Sequence, residues 1–404
     1  MKIGIVSTWF ERGAAYVSKQ YEIALAQQGH DVFIYARGGE AFAKGDPEWD
    51  KDNVYWQKDN NFPIFNYVND KEFEAWLDKN NIETVIFNEQ IWFEPVILCK
   101  NKKIKVGAYI DYYTEPMIKC FDIYDFLLCN TKRHLKAFEK HKNAYFIQWG
   151  TDVDLFCPQE ILSDEIIFFH SCGMNSHRKG TDLLLKAFLN LEYKEIEKSK
   201  LIIHTQLPEE RLIEALSENE RKICSNLISK EKIELISKTV TAPGLYHLGH
   251  VYVYPSRLDG LGLTVAEAKS CGMPLIVPND GPMNEFIQEG IDLAVSIEKL
   301  FSRYDGYYWP QNEVKIDELS NALSFYIENY KKSMRLDSRK FALDNLNWFE
   351  NSKKLDVIIS NVISNEVDID VINYCKSFNE KKFPKIYRYK KIYQLLFKFY
   401  KKVK

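Results

Sequence analysis

The chain has 404 residues, of which 46% are hydrophobic and 27% charged, as in a globular protein large enough for two domains, or three. This composition excludes disordered, collagen-like and disulfide-scaffold proteins. The formal net charge of −3 indicates no polyanionic partner, so no nucleic acid is expected.

Cysteine usage and apolar segments predict a cytoplasmic protein. The eight cysteines include no C-x-x-C pair, which fits buried, reduced thiols better than a zinc site. No apolar run approaches the ~20 residues that a membrane span needs. The polar residues within 9–12 also end the first apolar stretch too early for a signal peptide.

The first part of the chain predicts a parallel α/β domain, residues 1–148. Residues 3–6 have the pattern of a buried strand, and residues 15–28 that of a helix closed by Gly29. Residues 31–35 form the next strand, and the order strand, helix, strand indicates a βαβ unit. Its other predicted elements are strands at 84–87, 105–110 and 126–129 and a helix at 70–79.

The same pattern restarts after residue 150 and predicts a second Rossmann-like domain, residues 149–347. Residues 166–170 form its first strand, and residues 181–191 a helix with Thr181 as the N-cap. Ligands of such sheets bind outside the carboxyl ends of the strands, so we expect a deep cleft between the two domains. Its other predicted strands are 201–204, 250–254 and 274–277.

The densest chemical signal follows the strand that ends at Tyr254. A turn with two glycines leads into a helix that begins near Leu263 or Thr264. Glycines let a ligand approach the backbone, and a helix start offers free N–H donors to an anion. The candidate donors are the backbone N–H groups of Gly262, Leu263 and Thr264.

Two carboxylates border this helix start. Asp259 lies in the loop and Glu267 is expected in the first turn, where both suit the hydroxyls of a sugar and a ribose. The alternative for Glu267 is a capping box with Thr264, in which the glutamate only caps its own helix.

Asp259 followed eight positions later by Glu267 resembles the signature of retaining family-4 glycosyltransferases of the GT-B fold, which usually have Glu at the first position. Upstream, Gly173 and Lys179-Gly180 resemble the family's phosphate-binding loop, with Met174 in place of its arginine. The resemblance covers roughly residues 1–350, including the stretches 27–32, 149–158, 271–277 and 281–285.

This resemblance implies two Rossmann-like domains, the first binding the acceptor and the second a nucleotide-sugar donor. It implies that Asp259 meets the transferred sugar, that Glu267 meets the ribose, and that the anomeric configuration is retained. Lys179 and Arg178 would hold the diphosphate, unless they are merely a solvated pair. The nucleotide sugar is a substrate, so no cofactor is expected. The scheme also needs no metal, and the Asp152-x-Asp154 pattern is assigned to a structural role such as a turn or a helix cap.

In the first domain, the resemblance points to Gly13 and Asp111. Gly13 follows the first strand, where it either lets a ligand come close or only makes a tight turn. Asp111 stands where the family often has histidine, as a polar contact or base for the acceptor, or as the cap of a turn. The residues that would line an acceptor pocket are Glu89, Tyr112, Tyr113 and Glu115.

The C-terminal part is predicted to contain a helix at 348–375 that crosses back to the first domain, followed by a tail at 376–404. The tail has eleven Lys/Arg and one acid, a net charge of +10 that leaves −13 for the rest of the chain. Basic and aromatic residues interleave as in an amphipathic helix that binds an anionic membrane surface. The alternatives are a packed or disordered tail and, less favoured, RNA binding.

The expected activity is therefore transfer of a sugar from a nucleotide-sugar donor to a glycan or lipid-linked acceptor, in surface polysaccharide synthesis at the inner face of the membrane. Two alternatives stay open. One is a non-catalytic GT-B subunit that binds a partner transferase, and the other is a nucleotide-sugar isomerase of the same fold.

Overall fold

A computed structural model describes residues 1–37, 43–58, 66–364, 366, 368–383 and 392. The chain divides into two compact units. The first unit comprises Met1–Asn130, His134–Ile147 and the described residues from Ser352 onwards. The second unit comprises Thr131–Arg133 and Gln148–Asn351.

The first unit is built on a seven-stranded parallel sheet. Its strands are β1 (Lys2–Ser7), β2 (Asp31–Ala36), β3 (Val54–Trp56), β4 (Thr84–Asn88), β5 (Lys105–Tyr109), β6 (Phe126–Cys129) and β7 (Ala144–Phe146). They lie in the order β3-β2-β1-β4-β5-β6-β7. The connecting helices are α1 (Gly13–Gln27), α2 (Asp70–Asn80), α3 (Glu94–Asn101), α4 (Glu115–Ile118) and α5 (Lys132–Ala137).

The second unit has a six-stranded parallel sheet in the order β10-β9-β8-β11-β12-β13 and a separate antiparallel hairpin, β14-β15. The strands are β8 (Ile166–Gly173), β9 (Ser199–Thr205), β10 (Ile233–Ser237), β11 (Val251–Val253), β12 (Leu275–Pro278), β13 (Leu293–Val295), β14 (Ile297–Phe301) and β15 (Gln311–Val314). The helices are α6 (Thr181–Leu189), α7 (Tyr193–Glu197), α8 (Glu209–Ile213), α9 (Glu218–Ser229), α10 (Leu263–Ser270), α11 (Ile316–Asn329), α12 (Lys332–Asn345) and α13 (Trp348–Ser352).

Both sheets are covered on their two faces, which is why their strands are nearly continuous apolar runs. In the second unit, Phe168 and Phe169 of β8 enter two different core clusters on opposite faces of the sheet. The strand order reverses between β1 and β4 in the first sheet and between β8 and β11 in the second. The predicted fold class, two Rossmann-like α/β halves, is confirmed.

The chain returns to the first unit through two further helices, α14 (Lys354–Asn361) and α15 (Ile369–Lys382). Lys105 donates a hydrogen bond to the carbonyl oxygen of Ile359 at 2.5 Å, and Phe378 packs against Phe93 with ring centroids 6.0 Å apart. The expected single helix at 348–375 is therefore three shorter ones, and the expected boundary at residue 376 falls inside α15. Of the predicted tail, residues 384–391 and 393–404 lie outside the described residues.

Candidate active site

Two loops lie side by side at the carboxyl edge of the second sheet, at the switch point between β8 and β11. The first loop ends at Gly180, which has a φ of 71°. A Cβ at Gly180 would lie 2.0 Å from the carbonyl oxygen of Pro255, so only glycine allows this approach. The N–H of Arg257 donates to the carbonyl oxygen of Arg178 at 2.8 Å and joins the two loops.

The start of α6 differs from the prediction. Gly180 is the N-cap, Thr181 is the first helical residue, and the helix ends at Leu189 rather than at residue 191. The Thr181 hydroxyl lies 2.9 Å from Nε2 of the buried His170. Burial lowers the pKa of His170 to about 4, so this ring is neutral and serves the packing of the loop.

Lys179, Tyr254 and Asp259 form one polar cluster between the loops. Nζ of Lys179 donates to Oδ2 of Asp259 at 2.5 Å and also contacts the Tyr254 hydroxyl. That hydroxyl donates to the same carboxylate at 2.6 Å. The Lys179 and Asp259 side chains are only 14% and 13% exposed, so the interpretation of Lys179 as a solvated loop cation is wrong.

Charge stabilises the ionised form of Asp259. Burial raises the pKa of its carboxyl group, but Lys179, Arg178 and the hydrogen bonds overcome this effect and bring the pKa well below its ordinary value. Burial lowers the pKa of Lys179, which the Asp259 carboxylate opposes. The cluster therefore holds a carboxylate that accepts hydrogen bonds from hydroxyls.

Arg178 adds a second cation beside the cluster. Its guanidinium donates to the carbonyl oxygen of Leu258 at 2.8 Å and lies 3.8 Å from Oδ2 of Asp259, with a third of the side chain exposed. Met174, which stands in the arginine position of the resembled motif, is 74% exposed. Arg178 therefore adds a second positive charge beside the Asp259 carboxylate.

The N-terminus of α10 completes the edge of the site. Gly262 is the N-cap with a φ of 76°, and its N–H donates to Oδ1 of Asp259 at 3.1 Å. The N–H groups of Leu263 and Thr264 belong to the first turn, which has no intrahelical acceptor for them. They and the helix dipole favour an anion at this position.

Glu267 lies in the second turn of α10, not in the first as predicted. Its Oε2 accepts a hydrogen bond from the Tyr246 hydroxyl at 2.5 Å, and no side chain caps this helix, so the capping-box interpretation is wrong. Burial raises the pKa of Glu267 from 4.5 to about 7, although Tyr246 and the charge of Lys179 lower it. The carboxyl group thus changes its ionisation near neutral pH.

Sequence reasoning missed the residues that support this site. Arg257 donates to both carboxylate oxygens of Asp182, at 2.7 and 2.8 Å, and to Glu313 at 3.0 Å, and so holds the second loop in place. Arg257 lies two positions before Asp259, directly beside the signature, so its place in the sequence was a usable signal. Tyr246 lies twenty-one positions before Glu267 and carries no local pattern that marks it.

The predicted residues Gly13 and Asp111 lie in the first unit, whereas the other predicted site residues lie in the second. Gly13 is exposed and is the first residue of α1. Asp111 follows β5, with Oδ1 3.9 Å from Nε2 of the buried His134. Tyr113, expected in an acceptor pocket, is instead fully buried and bonded to His134 at 3.0 Å.

The Asp152-x-Asp154 pattern forms a turn, as the sequence suggested. Oδ1 of Asp152 accepts hydrogen bonds from the N–H groups of Asp154 and Leu155, both at 3.0 Å. Within the described ranges, no group of three or more His, Cys, Asp or Glu side chains is arranged to hold a metal ion.

Residues 158–341 match the model of the family described as Glycosyl transferases group 1. This segment belongs to that family. It contains every predicted site residue of the second unit, so the resemblance to glycosyltransferases in this region is confirmed. The chain is also similar to an uncharacterized glycosyltransferase of Haemophilus influenzae. The two sequences are 24% identical over 213 residues, which is 52% of this chain. The aligned region spans only about half of that curated relative, 54% of its length.

Solved glycosyltransferase structures share this fold over about nine-tenths of the chain. A glycosyltransferase from Rickettsia africae is similar with a TM-score of 0.68 and 16% identity, over 89% of this chain and 99% of the other. The pneumococcal O-GlcNAc transferase GtfA, in complex with UDP and GlcNAc, is similar with a TM-score of 0.66 and 13% identity, over 90% and 99% of the two chains. The expected GT-B fold is thereby confirmed.

Proposed function

We propose that the protein is a retaining glycosyltransferase that moves a sugar from a nucleotide-sugar donor to a glycan or lipid-linked acceptor, in surface polysaccharide synthesis. The observation that carries the proposal is the convergence of Lys179, Arg178 and Asp259 at the N-terminus of α10. The group 1 family match and the UDP bound to the similar pneumococcal transferase support a nucleotide-sugar donor.

Each group has a role in donor binding. The diphosphate lies against Lys179, Arg178 and the first-turn N–H groups of α10, because these are the positive groups at the edge of the sheet. Asp259 accepts hydrogen bonds from hydroxyls of the transferred sugar, and Glu267 from those of the ribose. Gly262 is required at the helix start because its φ is 76° and a Cβ there would lie 2.7 Å from Met283 and 2.9 Å from Phe286.

The chemical step separates charge, and the same groups stabilise it. As the glycosidic bond breaks, negative charge develops on the leaving diphosphate, and the two cations and the helix dipole are already oriented towards it. These groups supply the stabilisation that a divalent ion gives in other transferases, so we propose a metal-independent reaction. The acceptor oxygen bonds to the anomeric carbon from the face that the diphosphate leaves, and its proton passes to the departing diphosphate, so the anomeric configuration is retained.

The donor assignment is tested by thermal unfolding in a panel of UDP, ADP and GDP and their sugars. The cognate nucleotide should stabilise the protein by about 2.7 kcal/mol at a concentration of 100 times Kd. Glu267→Gln should weaken this effect, whereas Glu289→Gln, at an exposed position of the same unit, should not. If no nucleotide in the panel raises the unfolding temperature, the proposal is wrong.

Product analysis separates the remaining alternatives. Incubation with the cognate donor should give a glycoside whose anomeric proton has the coupling of the donor sugar. Donor binding without transfer to any acceptor or to water would favour a non-catalytic subunit, for which Met174 in the arginine position is the motivating observation. An altered donor without transfer would favour an isomerase.

We further propose that the basic tail binds an anionic membrane surface. No helix in the described part of the chain is long and apolar enough to cross a bilayer. Phe378, Asn379 and Phe383 pack in the first unit, so the appropriate truncation ends at residue 383 rather than 375. The full chain should sediment with phosphatidylglycerol vesicles but not with phosphatidylcholine vesicles. The truncated chain should sediment with neither, and unchanged sedimentation would refute the proposal.

A further inference from the structure

Cys157 differs from the other cysteines of the chain in its exposure. All eight cysteines fall among the described residues, and seven of them are buried, whereas Cys157 is exposed in the segment before β8. Peroxide and other oxidants reach an exposed thiol directly. What its oxidation yields depends on which groups lie beside it.

The C-terminal end of α10 lies beside this segment and carries a second cysteine, Cys271, as its C-cap. The hydroxyl of Ser270 donates to the carbonyl oxygen of Phe156 at 2.6 Å. On the other side of the two cysteines, a Cβ at Gly272 would lie 3.3 Å from Cγ of Pro158. The residues before the two cysteines are therefore in contact, as are the residues after them, so the cysteines themselves lie side by side.

Two arginines of α12 hold the two segments together. Nη1 of Arg339 donates to the carbonyl oxygens of Phe156 and Ser270, both at 3.0 Å. Nη2 of Arg335 donates to the carbonyl oxygen of Gln159 at 3.1 Å and to that of the second cysteine at 3.2 Å. Since each guanidinium bonds to both segments, the segments are held close, as a disulfide between them requires.

The two thiols differ in how readily they meet an oxidant. Burial, together with the nearby Glu267 and Cys157, raises the pKa of the Cys271 thiol to about 12, although Arg335 and Arg339 lower it. Cys271 therefore keeps its proton at neutral pH and is shielded from solvent. Because peroxide reacts with accessible thiolates, it attacks the exposed cysteine of the pair first.

We propose that Cys157 and Cys271 form a redox-sensitive pair, in which hydrogen peroxide oxidises Cys157 to a sulfenic acid that Cys271 converts to an intramolecular disulfide. In the first step the Cys157 sulfur takes one oxygen atom of the peroxide, the O–O bond breaks, and one water leaves. In the second step the S–S bond forms and the S–O bond breaks. The proton of the Cys271 thiol leaves with the hydroxyl group as a second water, so that two thiols are oxidised and one peroxide is reduced.

The disulfide has two consequences for the second unit. It protects the exposed thiol, because a sulfenic acid without a neighbouring thiol is oxidised further to sulfinic and sulfonic acids that are not readily reduced. It also joins the segment before β8 to the end of α10 and closes a long loop of the chain. Such a link restricts the unfolded state and should raise the unfolding temperature.

The test is peptide mapping of the full-length protein. The protein is reduced with dithiothreitol, freed of the reductant and treated with hydrogen peroxide. The remaining thiols are then blocked with N-ethylmaleimide, and the protein is digested without reduction. Mass spectrometry should find the peptide of Cys157 joined to that of Cys271, with the loss of two hydrogen atoms, and dithiothreitol should restore both thiols. The proposal is overturned if peroxide leaves both thiols free, or if Cys157 is over-oxidised or joined to another cysteine.

Variants assign the two roles. Cys271→Ala should let the sulfenic acid accumulate at Cys157, where dimedone traps it. Cys157→Ser changes an exposed position and should abolish the rise in unfolding temperature that peroxide causes in the unaltered protein. The matched control is Cys224→Ala, a buried cysteine of the same unit, which should form the disulfide as before. A rise in unfolding temperature that persists in Cys157→Ser would show that another group is responsible.

Discussion

The Tyr246 hydroxyl donates a hydrogen bond to Oε2 of Glu267 at 2.5 Å. The two residues come from separate elements, a 3₁₀ turn at Tyr246–Leu248 and the second turn of α10. Burial raises the pKa of Glu267 to about 7, and the bond from Tyr246 opposes this rise. The ionisation of Glu267 near neutral pH therefore depends on a residue from outside its own helix.

Tyr246→Phe should make donor binding more dependent on pH. The ring keeps its packing against Phe169, at 5.8 Å between centroids, but the carboxylate loses a bond that favours its charged form. The pKa of Glu267 then rises, and UDP affinity at pH 7 should fall about tenfold, with a smaller difference at pH 9. Calorimetric titration with UDP at both pH values measures this. An equal loss at both values would show that Tyr246 does not act through ionisation.

Glu267→Gln should flatten the pH dependence of stability between pH 4.5 and 7. A folded-state pKa of about 7 against an ordinary 4.5 means that the folded protein binds more protons in this interval. Stability should therefore decline as the pH rises through it, by about 3 kcal/mol in the unaltered protein. Urea denaturation at pH 5 and 8 compares the two proteins, and identical slopes would contradict the raised pKa.

Asp259→Asn should destabilise the protein as well as abolish transfer, because it leaves the mostly buried Lys179 without its nearest counter-charge. Removing one member of such a pair costs about 3–5 kcal/mol. The double change Lys179→Met with Asp259→Leu should recover part of that stability, but no transfer. Urea denaturation of Lys179→Met, Asp259→Leu and the double variant gives the coupling, and strictly additive effects would contradict a direct interaction.

Gly180→Ala should lower the free energy of unfolding by more than Gly290→Ala, a matched change in the same unit. Both Gly180 and Gly290 have positive φ, 71° and 79°, but only at Gly180 would a Cβ meet backbone, the Pro255 carbonyl oxygen. Gly290→Ala should cost about 1–2 kcal/mol from backbone strain alone. Gly180→Ala should cost about 1–3 kcal/mol more and weaken UDP binding, because the two loops must separate. Thermal unfolding with and without UDP tests both variants.

The fold was largely predictable, because buried parallel strands leave continuous apolar runs in the sequence. The strand at 126–129 was found with its observed limits, whereas the three-residue strands β3 and β7 were missed. Those two lie at the edges of the first sheet and are too short for a periodic signal. The predicted single helix over 348–375 was wrong, because α13 ends at Ser352, α14 ends at Asn361 and α15 begins only at Ile369.

The candidate site was predictable where backbone chemistry dictates it. Asp259 lies in the glycine turn, and Lys179, which belongs to the separate motif eighty positions upstream, bonds to it in the structure. The pairing of Glu267 with Tyr246 was not predictable, since a local capping box competes with a long-range contact that spacing does not reveal. The roles of Asp111 and Gly13 stay predictions.

The path of the chain has a consequence for biosynthesis. Gln148–Asn351 is continuous, whereas the first unit is assembled from segments on both sides of it, including α14 and α15. During synthesis, all the strands of the second unit are therefore made before the helices that complete the packing of the first unit. A chain that terminates near residue 350 would lack α14 and α15. Lys105 would then lose its bond to Ile359, and Phe93 its contact with Phe378. The apolar surface left exposed on the first unit would favour aggregation and degradation.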